Sequence, residues 1–118
     1  MSQQEVSVTH RLTICKTCAS PGADPQGAAL AQALSLPPGW EVFLHPCLNL
    51  CGKPVAAAVQ GVERATYLLA GLTPADADDL AAFAALYDAA PDGWITDARG
   101  AGRVRLCLQG RVPALRQP

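Results

Sequence analysis

The chain has 118 residues, of which 50% are hydrophobic and 16% are charged. This length and composition predict one folded domain and exclude a disordered chain. A formal net charge of −1 argues against binding of nucleic acid or of a membrane surface by the chain as a whole. The polar start Met1–Glu5 predicts no signal peptide, and no run approaches the roughly 18 apolar residues of a membrane span. We therefore expect a cytoplasmic protein.

The charged residues are unevenly distributed towards the end of the chain. Six acids and no base lie between Asp76 and Asp97, and no acid follows them. The remaining tail carries five arginines, namely Arg99, Arg103, Arg105, Arg111 and Arg116. Such an asymmetry usually marks solvated surface, and docking of an acidic partner is the alternative. We treat residues 93–118 as a basic C-terminal extension of a domain that spans residues 1–92.

The first half of the chain predicts a strand, a helix and a second strand. Apolar residues at a two-residue period predict a strand over Val6–Ile14. Asp24 as the cap and Pro25 at the first helical position predict a helix over Gln26–Leu34. The short apolar run Trp40–His45 predicts the second strand.

The second half predicts two more strands and a longer helix. The strands are expected at Val55–Val59 and Ala65–Leu69, with a turn between them. Thr73 as a cap, with Asp76 able to return a bond to it, predicts a helix that runs to about residue 90. The run Val104–Leu108 alternates like a strand, yet it lies beyond a complete small fold.

This element order predicts the fold class. Strands joined through a helix prefer to lie parallel in one sheet, whereas strands joined by short turns prefer to be antiparallel. We therefore expect a mixed four-stranded sheet with two main helices packed against it and a C-terminal extension. The fold class is α/β or α+β.

Cysteines follow the first and second predicted strands in two closely spaced pairs. Cys15 and Cys18 have the C-x-x-C spacing of zinc sites and redox centres, and Cys47 and Cys51 are separated by three residues. In a reducing compartment, clustered cysteines are more typical of metal binding or catalysis than of disulfides. One four-thiolate metal site explains all four residues, whereas buried apolar packing of each thiol is the simpler alternative.

Other candidates for chemistry are weaker. His45 could replace Cys18 as a ligand, although a half-exposed strand histidine is the commoner case. His10, in the middle of the first predicted strand, has a weaker claim still, and Cys107 is expected to be a packed apolar residue. The sequence has no glycine-rich phosphate loop and no arrangement of Ser, His and Asp that suggests a triad, so we expect a metal-binding protein or electron carrier rather than an enzyme.

The lysines give an independent indication of the same site. The chain has two lysines, and both Lys16 and Lys53 lie within two residues of a candidate ligand. Four thiolates around a zinc ion, or around two ferric ions and two sulfides, leave a net charge of about −2 by counting ligand charges. Two ammonium groups beside such a site would offset that charge.

Three motifs together resemble the thioredoxin-like [2Fe-2S] ferredoxins. They are the cysteine that ends the first strand, the run Cys47-x-x-x-Cys51-Gly52-x-Pro54, and Leu72-Thr73-Pro74 at the start of the last helix. The resemblance covers roughly Val6 to Ala90 and looks closest to a little-characterised bacterial family of small predicted metal-binding proteins. It implies a thioredoxin-like fold for residues 1–92 and a ferredoxin-type cluster near the surface.

Carried over to this chain, the resemblance places Cys15, Cys47 and Cys51 on ligand positions. The family's remaining ligand usually lies near the start of the first helix, close to Gly27 here, where this sequence has no thiol. Cys18, in the same loop, is the candidate for that place.

The expected function is one-electron transfer by a [2Fe-2S] cluster, with a redox partner protein. A structural zinc site on the same four cysteines is one alternative, and a thiol oxidoreductase or metal chaperone that uses Cys15 and Cys18 is another. A homodimer is compatible with each of them, and neither nucleic acid nor a membrane is an expected partner.

Overall fold

The computed structural model describes residues 8–17, 19, 22–48 and 52–115. The strands are β1 (His10–Cys15), β2 (Trp40–His45), β3 (Ala57–Gly61), β4 (Thr66–Leu69) and β5 (Leu108–Val112). The α-helices are α1 (Gly27–Ala33) and α2 (Ala77–Ala89), and the segments Pro74–Asp76 and Arg99–Cys107 form 3-10 turns. Among these described elements, no helix is both long enough and apolar enough to cross a bilayer.

The five strands form one mixed sheet in the order β2-β1-β3-β4-β5. β1 and β2, which α1 connects, are parallel, and the other neighbouring pairs are antiparallel. The mixed α+β class and the parallel pairing are therefore confirmed. The sheet has five strands where the sequence predicts four, and β2 keeps its predicted bounds, Trp40–His45.

The fifth strand comes from the basic tail. Before it, Ala101, Val104 and Cys107 are buried at a spacing of three residues, which is the period of a 3-10 helix. Two such turns, joined at Gly102, pack on α2 and lead into β5. β5 then pairs with β4, with Leu108 opposite Leu69. The expected strand at 104–108 thus begins four residues later, because the residues before it are used to cover the core.

One face of the sheet forms the main core. Alternate strand residues point to it, namely Leu12, Ile14, Val59, Tyr67 and Leu69. Leu30 of α1 belongs to the same cluster as Phe83 of α2, whose ring meets that of Tyr67 edge to face with centroids 5.2 Å apart. Both helices therefore cover the same face, and the intervening residues, such as Thr13 and Leu68, point to the opposite face.

The second helix begins as the sequence predicts. The backbone N–H of Thr73 donates to Asp76 Oδ2 at 2.7 Å, and Pro74 opens the 3-10 turn that leads into α2. This bond satisfies a donor that the first helical turn would otherwise leave unpaired.

The start of the first helix differs from the prediction. Gln26 is the residue that precedes α1, and no side chain caps it, so Asp24 is not the cap and Pro25 is not the first helical residue. The first helical residue, Gly27, lies so close to the backbone of Cys15 and Lys16 that only a residue without a side chain fits there.

Most described arginines of the tail contact other side chains of the same chain. Arg99 Nη2 lies 2.8 Å from Asp97 Oδ2, and this hydrogen-bonded pair lowers the pKa of Asp97 to about 2. Arg111 lies over the Trp94 ring, 3.6 Å from its centroid. Docking of an acidic partner by the tail stays a prediction, and the side chains just named already have partners within the chain.

Aromatic rings surround His10 at the end of the sheet where β1 begins. The His10 ring lies 5.0 Å from that of Trp40 and 5.6 Å from that of Tyr87, measured between centroids. Its Nε2 lies 3.2 Å from Asp88 Oδ1. Burial lowers the pKa of His10 from its ordinary value of 6.5; Arg64 acts in the same direction, and Asp88 opposes it. His10 is therefore a packing residue, and it is the first residue of β1 rather than the mid-strand residue that the sequence predicted.

We predict that His10 makes the stability depend on pH. The folded protein binds a proton at His10 more weakly than the unfolded chain does. The contribution of neutral His10 to the free energy of unfolding is therefore complete above pH 6.5, and it is lost as the pH falls through the lowered pKa. His10→Gln should abolish this part of the decline, measured as the free energy of denaturant unfolding between pH 7.5 and 5. His45→Gln, at the exposed second histidine, is the control. Equal pH dependence in His10→Gln and the wild type would contradict the assignment.

Candidate metal centre

The parallel pairing of β1 and β2 brings two cysteine-bearing loops to one end of the sheet. Cys15, the last residue of β1, lies opposite His45, the last residue of β2. The backbone N–H of Lys16 donates to the His45 carbonyl oxygen at 2.9 Å and extends the pairing by one residue. Cys47 follows two residues later, so Cys15 and Cys47 lie at the same end of the sheet.

The loop after β2 covers the Cys15 side chain. Cys15 is fully buried, and it forms a small apolar cluster with Ala56, against which Leu48 packs. The Cys15 Sγ lies 3.5 Å from the Pro46 carbonyl oxygen and 3.7 Å from Thr17 Oγ1. The thiol therefore points away from the main core and towards the loop that carries Cys47.

Cys47 lies at the surface of this loop. Its side chain is exposed, and its backbone N–H lies 3.4 Å from His45 Nδ1, in position to donate to that nitrogen. The same nitrogen lies 3.1 Å from the Cys47 carbonyl oxygen. The His45 imidazole is thus turned towards the backbone of the loop, which is a role that the sequence did not indicate.

The other two predicted ligands, Cys18 and Cys51, lie outside the described residues. Within the ranges that the structure describes, no three side chains of His, Cys, Asp and Glu form a group that could hold a metal ion. In the sequence, Cys18 follows Cys15 by three residues and Cys51 follows Cys47 by four. The four-cysteine ligand set therefore stays a prediction.

The start of α1 lies directly against the Cys15 backbone. A Cβ built on Gly27 would collide with the Cys15 carbonyl oxygen and would lie 3.1 Å from its carbonyl carbon. A cysteine at position 27, close to the place where the resembling ferredoxins carry a ligand, is therefore excluded without a shift of the backbone. This close contact was not visible in the sequence, where Gly27 is one of ten glycines.

Gly71 contacts Lys53, which follows the second cysteine pair in the sequence. The Gly52 Cβ position faces open space, whereas Gly71 has a φ of +80° and donates its N–H to the Lys53 carbonyl oxygen at 2.7 Å. Both Lys16 and Lys53 are exposed, so their ammonium groups are in water.

Cys107 is a packing residue, as predicted. It is buried in the main core, and burial raises the pKa of its thiol, with Arg103 acting in the opposite direction. Its Sγ accepts a hydrogen bond from Arg103 Nη1 at 3.4 Å. A protonated thiol held in this way is not suited to metal binding, which requires the thiolate.

The fold and the described cysteines define a small mixed α+β domain with one thiol at the end of β1 and another in the loop after β2, at the same end of the sheet. The family model described as "protein of unknown function (DUF1636)" matches residues 12–114. This match covers more than half of the chain, and the chain therefore belongs to the DUF1636 family. Neither the curated proteins nor the solved structures include a match to it.

We predict that Gly27→Ala destabilises the protein although alanine favours helices. The added methyl group collides with the Cys15 carbonyl, and overpacking of this kind typically costs about 1–3 kcal/mol of unfolding free energy. Gly110→Ala is the matched control because nothing lies within 4 Å of its Cβ position. Chemical denaturation of the metal-free proteins measures both changes. A Gly27→Ala variant as stable as the wild type would show that α1 does not lie against Cys15.

Proposed function

We propose that the protein is a small electron carrier that holds one [2Fe-2S] cluster on Cys15, Cys18, Cys47 and Cys51. The observation that carries this proposal is the pairing of Cys15 with His45, which brings the two cysteine-bearing loops to one end of the sheet. Had β1 and β2 been antiparallel, the loop after Cys15 and the loop after His45 would lie at opposite ends.

The chemistry of the described donors fits such a group. Thiolates are the ligands of [2Fe-2S] clusters, and Cys15 is buried while Cys47 is exposed, which suits a cluster at the protein surface. The exposed ammonium groups of Lys16 and Lys53 would offset its negative charge. Leu48, packed against Cys15, would exclude water from the inner side.

The sheet order also supports the resemblance to thioredoxin-like ferredoxins. Leaving out β5, the order β2-β1-β3-β4 combines a parallel β-α-β unit with an antiparallel β-β-α unit. A thioredoxin-like fold is built from these two units, and we propose that fold for this domain. The chain adds β5 and the preceding 3-10 turns to it.

The protein's part in electron transfer is to hold and present the site. A bound cluster would supply a one-electron redox couple, and exposure, nearby charge and hydrogen bonds to its sulfurs set the potential. Cys15 anchors one side of the site to the sheet, and exposed Cys47 would face a redox partner protein. No substrate pocket is needed. We propose a cytoplasmic location, and a homodimer is compatible with this arrangement.

A structural zinc site is the second candidate. The observation that favours it is the exclusion of a side chain at Gly27, because the fourth ligand must then come from elsewhere. Cys18 supplies the C-x-x-C spacing that is typical of zinc sites. The protein would then be a binding module without redox chemistry. A thiol oxidoreductase or metal chaperone that uses Cys15 and Cys18 alone is the third candidate.

Metal and sulfide analysis after anaerobic purification separates these functions. Iron with an equal amount of acid-labile sulfide and a visible charge-transfer spectrum is the expected result. Zinc without sulfide would replace the first proposal by the second. Absence of metal, together with a readily reduced Cys15–Cys18 disulfide, would favour the third.

We predict that alanine at any one of the four cysteines lowers metal affinity by more than the roughly 10–100-fold loss that is typical when a residue supporting a ligand is changed. Cys107→Ser is the control, since it removes a buried thiol outside the proposed site, keeps a hydrogen-bonding side chain beside Arg103 and should keep the metal. Competition with a chromophoric chelator measures the affinity. Cys47→Ala is the most informative variant because its exposed side chain should leave the metal-free stability unchanged. Full metal content in Cys15→Ala and Cys47→Ala would reject the four-cysteine site.

A further inference from the structure

Arg103 lies at the centre of a hydrogen-bond cluster that joins the tail to the rest of the fold. Its Nη1 donates to Asp76 Oδ2 at 2.7 Å, and its Nη2 donates to the Gly71 carbonyl oxygen at 2.9 Å. The backbone N–H of Arg103 donates to Asp79 Oδ2 at 3.1 Å. The guanidinium group is therefore held on two sides by acceptors from different segments.

Asp76 is the buried acceptor that this cluster shares. It is only 4% exposed, and its Oδ2 also accepts hydrogen bonds from the N–H and the hydroxyl of Thr73 at the start of the last helix. A buried carboxylate needs a charged or hydrogen-bonding partner, because leaving it unpaired is costly. Nη1 of Arg103 supplies this partner, and Nη2 binds the Gly71 carbonyl oxygen.

Gly71 links Arg103 to Lys53 through its own backbone groups. The backbone N–H of Gly71 donates to the Lys53 carbonyl oxygen at 2.7 Å, and the Gly71 carbonyl oxygen accepts a hydrogen bond from Arg103 Nη2. The pairing continues through Leu72 and Val55, which exchange two hydrogen bonds of 3.1 Å. The chain of contacts therefore ends at Lys53, which follows the proposed ligand Cys51 by two residues in the sequence.

We propose that Arg103 is a positioning residue for the proposed metal site: through Gly71 it fixes the backbone of Lys53, which follows the proposed ligand Cys51 by two residues in the sequence. This inference rests on the proposed function. It assigns a task to one arginine of the basic tail, whose partner Asp76 lies 27 residues away in sequence.

The experiment compares Arg103→Gln and Arg103→Lys with Arg105→Gln. Arg103→Lys keeps the charge beside buried Asp76, which protects the fold, but a single ammonium cannot reproduce the planar two-sided contact with Asp76 and Gly71. Arg105 lies on the same 3-10 segment and is exposed, so Arg105→Gln removes the same charge without touching Gly71. Thermal unfolding shows first which variants fold.

Two quantities are then measured. The first is hydrogen exchange of the Gly71 amide in the metal-free proteins. The second is the rate at which protein reconstituted with iron and sulfide loses its visible spectrum to a chelator. Both rates should rise at least about fivefold in Arg103→Lys and Arg103→Gln, as expected for one lost hydrogen bond to a charged donor. Arg105→Gln should match the wild type in both.

The outcomes separate the two proposals. Wild-type protein that takes up iron and sulfide, with an unchanged rate of loss in folded Arg103→Lys, would overturn the role of Arg103 and leave the proposed cluster standing. Equal acceleration in Arg105→Gln would overturn it too, because charge alone would then explain the effect. Wild-type protein that takes up no metal would reject the proposed function, and the role of Arg103 with it.

Discussion

The parallel pairing of β1 with β2 is the constraint on which the rest of this structure depends. It aligns Cys15 with His45 and so brings the loop after each strand to the same end of the sheet. The crossover through α1 makes this pairing possible, since parallel neighbours cannot be joined by a tight turn. Gly27 then lets the helix start directly against Cys15, which keeps the crossover close to the cysteine end.

The tail packs on α2 and extends the sheet at the edge opposite β2. Its 3-10 turns bury Val104 and Cys107 on α2, and its strand covers the edge of β4, which would otherwise carry unpaired backbone groups. Arg103 connects the tail through Gly71 to the segment after Cys51. Backbone hydrogen bonds thus fix both Cys15, at the end of β1, and Lys53, beside Gly71.

Local patterns in the sequence predicted the elements whose signals are local. β2 has its predicted bounds, and the bond from Thr73 to Asp76 was foreseen because the two residues are three apart. The pairing of the tail strand with β4, the helix start at Gly27 and the Arg103–Asp76 pair were missed. Each of these depends on contact between distant segments, and a three-residue period in the tail was mistaken for alternation. The cysteine pairs were found by spacing, whereas the residues that support them have no such signal.

The most direct measurement is a crystal structure of the protein reconstituted anaerobically with iron and sulfide, with anomalous scattering recorded at the iron edge. Our account predicts iron bound directly to the sulfurs of both Cys15 and Cys47, at the end of the sheet where β1 and β2 finish. Iron bound to only one of these sulfurs, or bound elsewhere on the protein, would contradict it.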